Sequence, residues 1–258
     1  MAKIIKKGAD LEGQLKSCIR KKKRCLWAAL ALFIIGAAGL IATPLLIGSE
    51  GVAGIATVAF VSCLFAALLS LLFGIFIYNN AMDILAAGIK GERNAVKYVR
   101  LLPDSYTVFS NLSLAYRDKK SEMDLVIVGP TGVFIVEIKN QNGTIVGDVG
   151  GQSWTQHKVG RGGTPYAKRL YSPIKQVGTH VFVLANYLKS KGIRAYVSPV
   201  VYFANEETDV RVSGTDGKTS LFAASENGAG ELIRYITSSR AAPSQEELSK
   251  IITVLKKA

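Results

Sequence analysis

The stretch MDLVIVGPTGVFIVEIK, Met123–Lys139, decides the fold. Two apolar runs, Met123–Val128 and Val133–Lys139, flank the turn signal Gly129-Pro130-Thr131-Gly132 and read as strands of one hairpin. A hairpin centred between Pro130 and Thr131 sets Asp124 opposite Glu137 and Glu122 opposite Lys139. Alternation along a strand then gives Asp124, Glu137 and Lys139 a common face. Directly opposed side chains have Cβ atoms roughly 4.5–5.5 Å apart, a distance at which like charges repel. A half-buried sheet keeps two carboxylates there when something positive lies between them. A divalent cation on carboxylate oxygens with a lysine beside it meets that need and points to phosphodiester hydrolysis.

Working outward, Gly91–Leu102 carries Val96, Val99 and Leu102 at helical spacing before Pro103. Tyr106–Tyr116 is strand-like, and Arg117-Asp118-Lys119-Lys120 reads as a polar turn. The first run of the hairpin is apolar on both faces beyond Asp124, which predicts a central strand covered by helices on each side. Gly143–Val159 suggests short edge strands, and Val159–Arg169 a loop. Pro173 opens a helix to Lys191 that Gly192 stops. A strand follows over Ala195–Ala204, with shorter ones at Val210–Val212 and Leu221–Ala223 and a helix over Gly230–Ser238. Ser244-Gln245-Glu246-Glu247 is a capping box for a final helix. The fold class is α/β: a helix, a three-stranded antiparallel meander, a helix and a strand, within residues 79–258.

The first third of the chain differs in kind. Cys25–Ile47 and Val52–Tyr78 contain no charged residue, and each exceeds the roughly 20 residues that cross a bilayer as a helix. Gly48-Ser49-Glu50-Gly51 between them allows only a tight connection, so residues 25–78 are expected to form a transmembrane helical hairpin. Met1–Arg24 reads as a basic, partly helical leader, with Lys16, Arg20 and Lys21–Arg24 crowding the entrance to the first span. The positive-inside rule then places both termini and the soluble domain in the cytoplasm, with the leader against anionic lipid headgroups of the bilayer.

The net charge is +13, and the excess within the soluble part is local: Lys139–Arg194 holds nine basic residues against one acid, Asp148. A basic stretch after a carboxylate site suits a polyanion, and it equally suits a solvated face turned toward the inner leaflet. Cys18, Cys25 and Cys63 all precede the soluble part, so it holds no disulfide framework and no cysteine zinc site. His157 and His180 lack metal-ligand spacing and read as surface or packing residues.

Residues 86–205 resemble the nuclease-related domain family, a branch of the PD-(D/E)XK nuclease-like fold. The resemblance rests on Gly88-x-x-Gly91-Glu92, Asp124, Glu137-Ile138-Lys139-Asn140, Trp154 and Ser172-Pro173-Ile174-Lys175-Gln176. The family usually has Asn before that proline; Ser172 caps a helix as well as Asn does. The resemblance implies that Asp124 and Glu137 bind Mg²⁺ or Mn²⁺, that Lys139 stabilises developing charge, that Glu92 adds a helix-borne carboxylate and that Gln176 orients the site. Each has a plainer reading: solvated strand-end acids, a lysine salt-bridged to Glu122 or Glu137, an acid complementing a helix macrodipole, a solvent-facing glutamine. Trp154 is expected to pack in the core or platform.

The function that follows is a membrane-anchored, metal-dependent nuclease acting on nucleic acid, DNA more than RNA. Lys158, Arg161, Lys168, Arg169 and Lys175 would hold its phosphate backbone. Two alternatives keep the same fold without turnover: a membrane-tethered nucleic-acid-binding or scaffold module, and a signalling partner whose basic surface binds anionic lipid.

Overall fold

The structure is a computed structural model describing the chain except for residues 8–10, 47–49, 161 and 242 and the side chains at 44–46, 50 and 226. It divides into two compact units, Met1–Asp10 with Ala87–Ala258, and Leu11–Ala86.

The helical unit consists of α1 (Leu11–Leu46) and the first part of α2 (Glu50–Val99). Both helices are long and apolar enough to cross a membrane. Their outward side chains are the apolar ones: Trp27, Phe33, Ile55, Phe73 and Phe76 are all more than half exposed. The two helices approach closely at Gly39, where a Cβ would lie 2.2 Å from the Phe60 ring. Near the polar end, Lys22 Nζ donates to Asn79 Oδ1 at 2.7 Å. Ile47 and the connection Gly48-Ser49 fall outside the described residues, so the turn of the expected hairpin is not part of this description.

The second unit is built on a six-stranded sheet of order β1-β2-β3-β4-β8-β10. Its strands are β1 (Lys3–Lys6), β2 (Thr107–Tyr116), β3 (Lys119–Gly129), β4 (Gly132–Lys139), β8 (Val197–Phe203) and β10 (Ser220–Ala223). The first three long strands, β2, β3 and β4, form an antiparallel meander, and β8 joins β4 in parallel. The parallel step needs a crossover, which α3 (Pro173–Ser190) supplies within the connection from β4 to β8. Ser172 Oγ accepts the Lys175 N–H and caps α3, so serine does the work of the usual asparagine.

The two faces of this sheet bury different partners. Phe109, Met123, Val126, Val133 and Ile135 pack with Val177, Val183 and Leu184 of α3 and with Leu248 and Ile251 of α5 (Gln245–Lys257). Val108, Leu125, Ile127, Phe134 and Val136 pack with Ala95 and Val99 near the end of α2 and with Leu232 and Ile236 of α4 (Gly228–Ser238). The double apolar face of β3 thus becomes a central strand with helices on both sides. The capping box forms as read: Ser244 and Glu247 exchange side-chain and backbone hydrogen bonds at the start of α5.

Three segments differ from the sequence expectation. Met1–Arg24 is not only a helical leader, because β1 pairs in parallel with β2 at the sheet edge. The helix expected over Gly91–Leu102 is not a separate element; α2 runs unbroken to Val99, since nothing between Asn79 and Val99 removes a backbone donor as proline would. The last five residues of the expected loop Val159–Arg169 belong to β7 (Pro165–Tyr171). It pairs with β6 (Ser153–Val159) in a second sheet of order β7-β6-β5-β9, with β5 (Gly143–Asp148) and β9 (Thr208–Ser213). Its exposed residues Tyr166, Lys168 and Arg169 carry no apolar alternation, the signal on which a strand reading depends. Trp154 of β6 is buried and stacks on Phe203 of β8, with ring centroids 6.4 Å apart, which joins the small sheet to the large one.

Candidate active site

The hairpin register runs as the turn dictates, from Gly129↔Gly132 to Leu125↔Val136, and stops one residue short of Asp124. On the other flank, β2 and β3 pair from Thr107↔Val128 to Ser110↔Leu125 and again from Leu112↔Met123. The gap between is Asn111 facing Asp124, and Asn111 has φ +54°. Both strands change faces there: Phe109 and Val126 share the α3 face with Leu112 and Met123, although strict alternation would oppose them. Released from the ladder, the Asp124 carboxylate accepts the Ile138 N–H through Oδ2 at 2.7 Å. A side chain therefore replaces the backbone partner that β3 no longer provides.

Glu137 and Lys139 lie on the α3 side of β4. Lys139 Nζ donates to Glu137 Oε1 at 2.7 Å and to Gln176 Oε1 of α3 at 2.8 Å. His180, one helical turn beyond Gln176, lies with Nε2 3.0 Å from Glu137 Oε2, and its Nδ1 pairs closely with Ser121 Oγ of β3. Both His180 and Ser121 are buried. His180 is thus a site residue that was read as surface or packing. The available signal was its i+4 spacing from Gln176, which puts both on one face of α3.

Glu122 does not meet Lys139. It is solvent-exposed opposite Ser113 and pairs with Lys120 at 3.9 Å. Glu92 lies close enough to influence Asp124, and its Oε2 is 3.5 Å from Asn111 Nδ2. The approach depends on Gly91, where a Cβ would fall 2.6 Å from Asn140 Cβ. Asn140 donates to Ala87 O at 2.5 Å, while its Oδ1 is buried with no hydrogen-bond partner among the described residues.

Burial and the electrostatics of the site separate the two acids. Burial first, then the Glu137 charge, push the Asp124 carboxyl up to about 8, against the opposing pull of the Ile138 N–H and Lys139. Burial also pushes Glu137 up, but the His180 hydrogen bond and the Lys139 charge outweigh it and hold that carboxyl below its ordinary range. At neutral pH the pair therefore carries one negative charge and one proton. A proton held at Asp124 by its anionic neighbour is displaceable by a cation, and hard oxygen donors suit Mg²⁺ or Mn²⁺. Asp124 and Glu137 are the oxygen donors that such an ion would take. No group of three or more His, Cys, Asp or Glu is placed to hold a metal among the described residues.

The basic residues fall in two places. Lys158 and Lys168 lie on β6 and β7, where burial and then Lys168 push the Lys158 ammonium down; Arg169 of β7 is exposed and donates to Ser153. Lys175 lines a cleft of about 620 Å³ beside α3 with Lys119, Lys218, Phe182 and Tyr196. Arg161 lies outside the described residues.

The layout is that of an α/β domain whose central strands carry a half-buried acid, a buried acid and a lysine under a crossover helix. Residues 87–204 match the family described as the nuclease-related domain. Comparison with curated proteins and with solved structures returns no match.

Proposed function

We propose that this domain is a PD-(D/E)XK-like, metal-dependent phosphodiesterase acting on nucleic acid, DNA in preference to RNA. The helical unit would anchor it as a two-span transmembrane hairpin, with both termini and the soluble domain on the cytoplasmic side and the basic residues before the first span against anionic lipid headgroups. The observation that supports the reading is the Asp124–Glu137–Lys139 cluster, a half-buried and a buried acid beside one ammonium that is bonded to Glu137.

In this reading Asp124 and Glu137 hold the ion. Mg²⁺ or Mn²⁺ there supplies Lewis-acid polarisation of the phosphate and a water of lowered pKa. Lys139, steered by Gln176, places its ammonium where charge develops on the phosphoryl oxygens. Glu92 adds negative charge to the Asp124 side of the cluster. Lys158, Lys168, Arg169 and Lys175 grip the phosphate backbone without reading bases, and Arg161 is assigned with them on charge.

The test is cleavage of DNA and RNA by the full chain in detergent, with Mg²⁺, with Mn²⁺ and with chelator, beside Asp124→Asn and Glu137→Gln. Metal-dependent cleavage lost in both variants is the expected result. A second reading, a nucleic-acid-binding or scaffold module without turnover, draws support from the same cluster: both Glu137 oxygens already carry protein hydrogen bonds. Salt-sensitive binding without cleavage would select it. Binding to anionic vesicles alone would select the lipid-binding signalling partner.

A further inference from the structure

We propose that Ser121 and His180 form a buried positioning pair that locks the Glu137 carboxylate in place, His180 donating through Nε2–H and Ser121 donating to Nδ1 so as to fix that tautomer. The proposal rests on the reading of Glu137 as an ion-holding residue and supplies what orients it.

Glu137 makes one contact through each oxygen, Lys139 at Oε1 and His180 at Oε2, so a turn of the carboxylate plane breaks both. The two donors differ in kind. Lys139 has a long flexible stem and is itself needed at the substrate, whereas His180 is a planar ring buried under α3. The other tautomer, with its hydrogen on Nδ1, would offer Glu137 a lone pair in place of a donor. Ser121 Oγ is buried beside Nδ1; an ionised Glu137 only accepts, so the ring hydrogen belongs on Nε2 and the serine hydroxyl donates to the Nδ1 lone pair, holding the ring in that orientation. Serine, histidine and carboxylate in a row resemble a hydrolytic triad. Here, however, the serine lies in the core and the carboxylate is at the working end. Ser121 is therefore an anchor, not a nucleophile. The same face of α3 carries Gln176 to Lys139, so one helix orients both members of the Glu-x-Lys pair.

The chain has two histidines, which makes the test direct. In the full chain, ¹⁵N-histidine-labelled in nanodiscs, His180 is expected to show a protonated Nε2 and an unprotonated Nδ1, with exposed His157 as internal reference. Ser121→Ala should average the two His180 nitrogen signals and leave His157 unchanged. Mn²⁺ affinity should fall about tenfold or more in His180→Leu. His180→Gln, whose amide N–H can stand where Nε2–H stood, should recover it to within about threefold. A hydrogen on Nδ1 in the wild type overturns the proposal, as does wild-type Mn²⁺ affinity in a folded His180→Leu. If His180→Leu does not fold, the ring spectra of wild type and Ser121→Ala decide alone. If the wild type takes up no Mn²⁺, the phosphodiesterase reading falls. The positioning claim is then judged on the Glu137 carboxyl ¹³C signal, which must move in His180→Leu and stay in His180→Gln.

Discussion

Loading the site with Mn²⁺ should release a proton, and the affinity should rise with pH. Asp124 sits at about 8, so at pH 7 about one molecule in ten has it ionised before metal arrives. Binding to the ionised form then carries a penalty of about tenfold at pH 7 and about a hundredfold at pH 6, vanishing above about pH 9. Titration of the full chain in buffers of differing ionisation enthalpy should show about 0.9 proton released per Mn²⁺ at pH 7 and almost none at pH 9.5. Asp124→Asn should bind far more weakly and lose the pH slope. The same shift has a stability consequence in the metal-free protein. Asp124 holds its proton more tightly folded than unfolded, so its contribution to stability is complete below its ordinary range near 4 and is lost as pH climbs through about 8. Metal-free Asp124→Asn should therefore melt higher than wild type at pH 9, with the gap about half as large at pH 6 and closing toward pH 4. Affinity flat between pH 6 and 9 with no proton release would refute the assignment of Asp124 as a buried acid that trades its proton for an ion.

Lys139→Met should slow metal-dependent cleavage by about a hundredfold or more while the chain stays folded, measured by single-turnover kinetics. Gly91→Ala drives a Cβ toward Asn140 and should destabilise the domain by about 1–3 kcal/mol in a denaturant melt. Lys168→Ala and Arg169→Ala should each reduce by about 1 the slope of log affinity against log salt for DNA, without altering sequence preference. Cysteines placed at Lys3 and at Lys168 in a cysteine-free background should be labelled by a membrane-impermeant reagent from the same side of sealed vesicles.

The hairpin, its register and the capped crossover helix were legible because each rests on local chemistry: Gly-Pro-Thr-Gly at the turn, Ser-Pro at the cap. The acids were legible as a pair, but not the way Asp124 reaches the site. That depends on Asn111 adopting a positive φ and on two strands changing faces together, and no periodicity in either strand announces it. His180 was hidden by a different cause. A lone histidine carries no spacing of its own, and its meaning comes from Gln176 one turn earlier and from Ser121 on another strand. The second sheet was half visible: β5 and β6 show apolar residues among glycines, whereas β7 pairs with β6 and sets only Leu170 against the core, too little for a period to be read.

The parallel pairing of Lys3–Lys6 with Thr107–Ser110 ties the start of the chain to a strand synthesised about a hundred residues later. During synthesis that opening segment has no partner until both long helices have been made. The Lys3–Lys6 edge strand therefore waits across both apolar helices for Thr107–Ser110 before its backbone groups are paired. An interruption after the second helix would leave Ile4 and Ile5 uncovered and the edge strand absent, so assembly of this molecule has a built-in order in which the apolar helices must come before the finished domain.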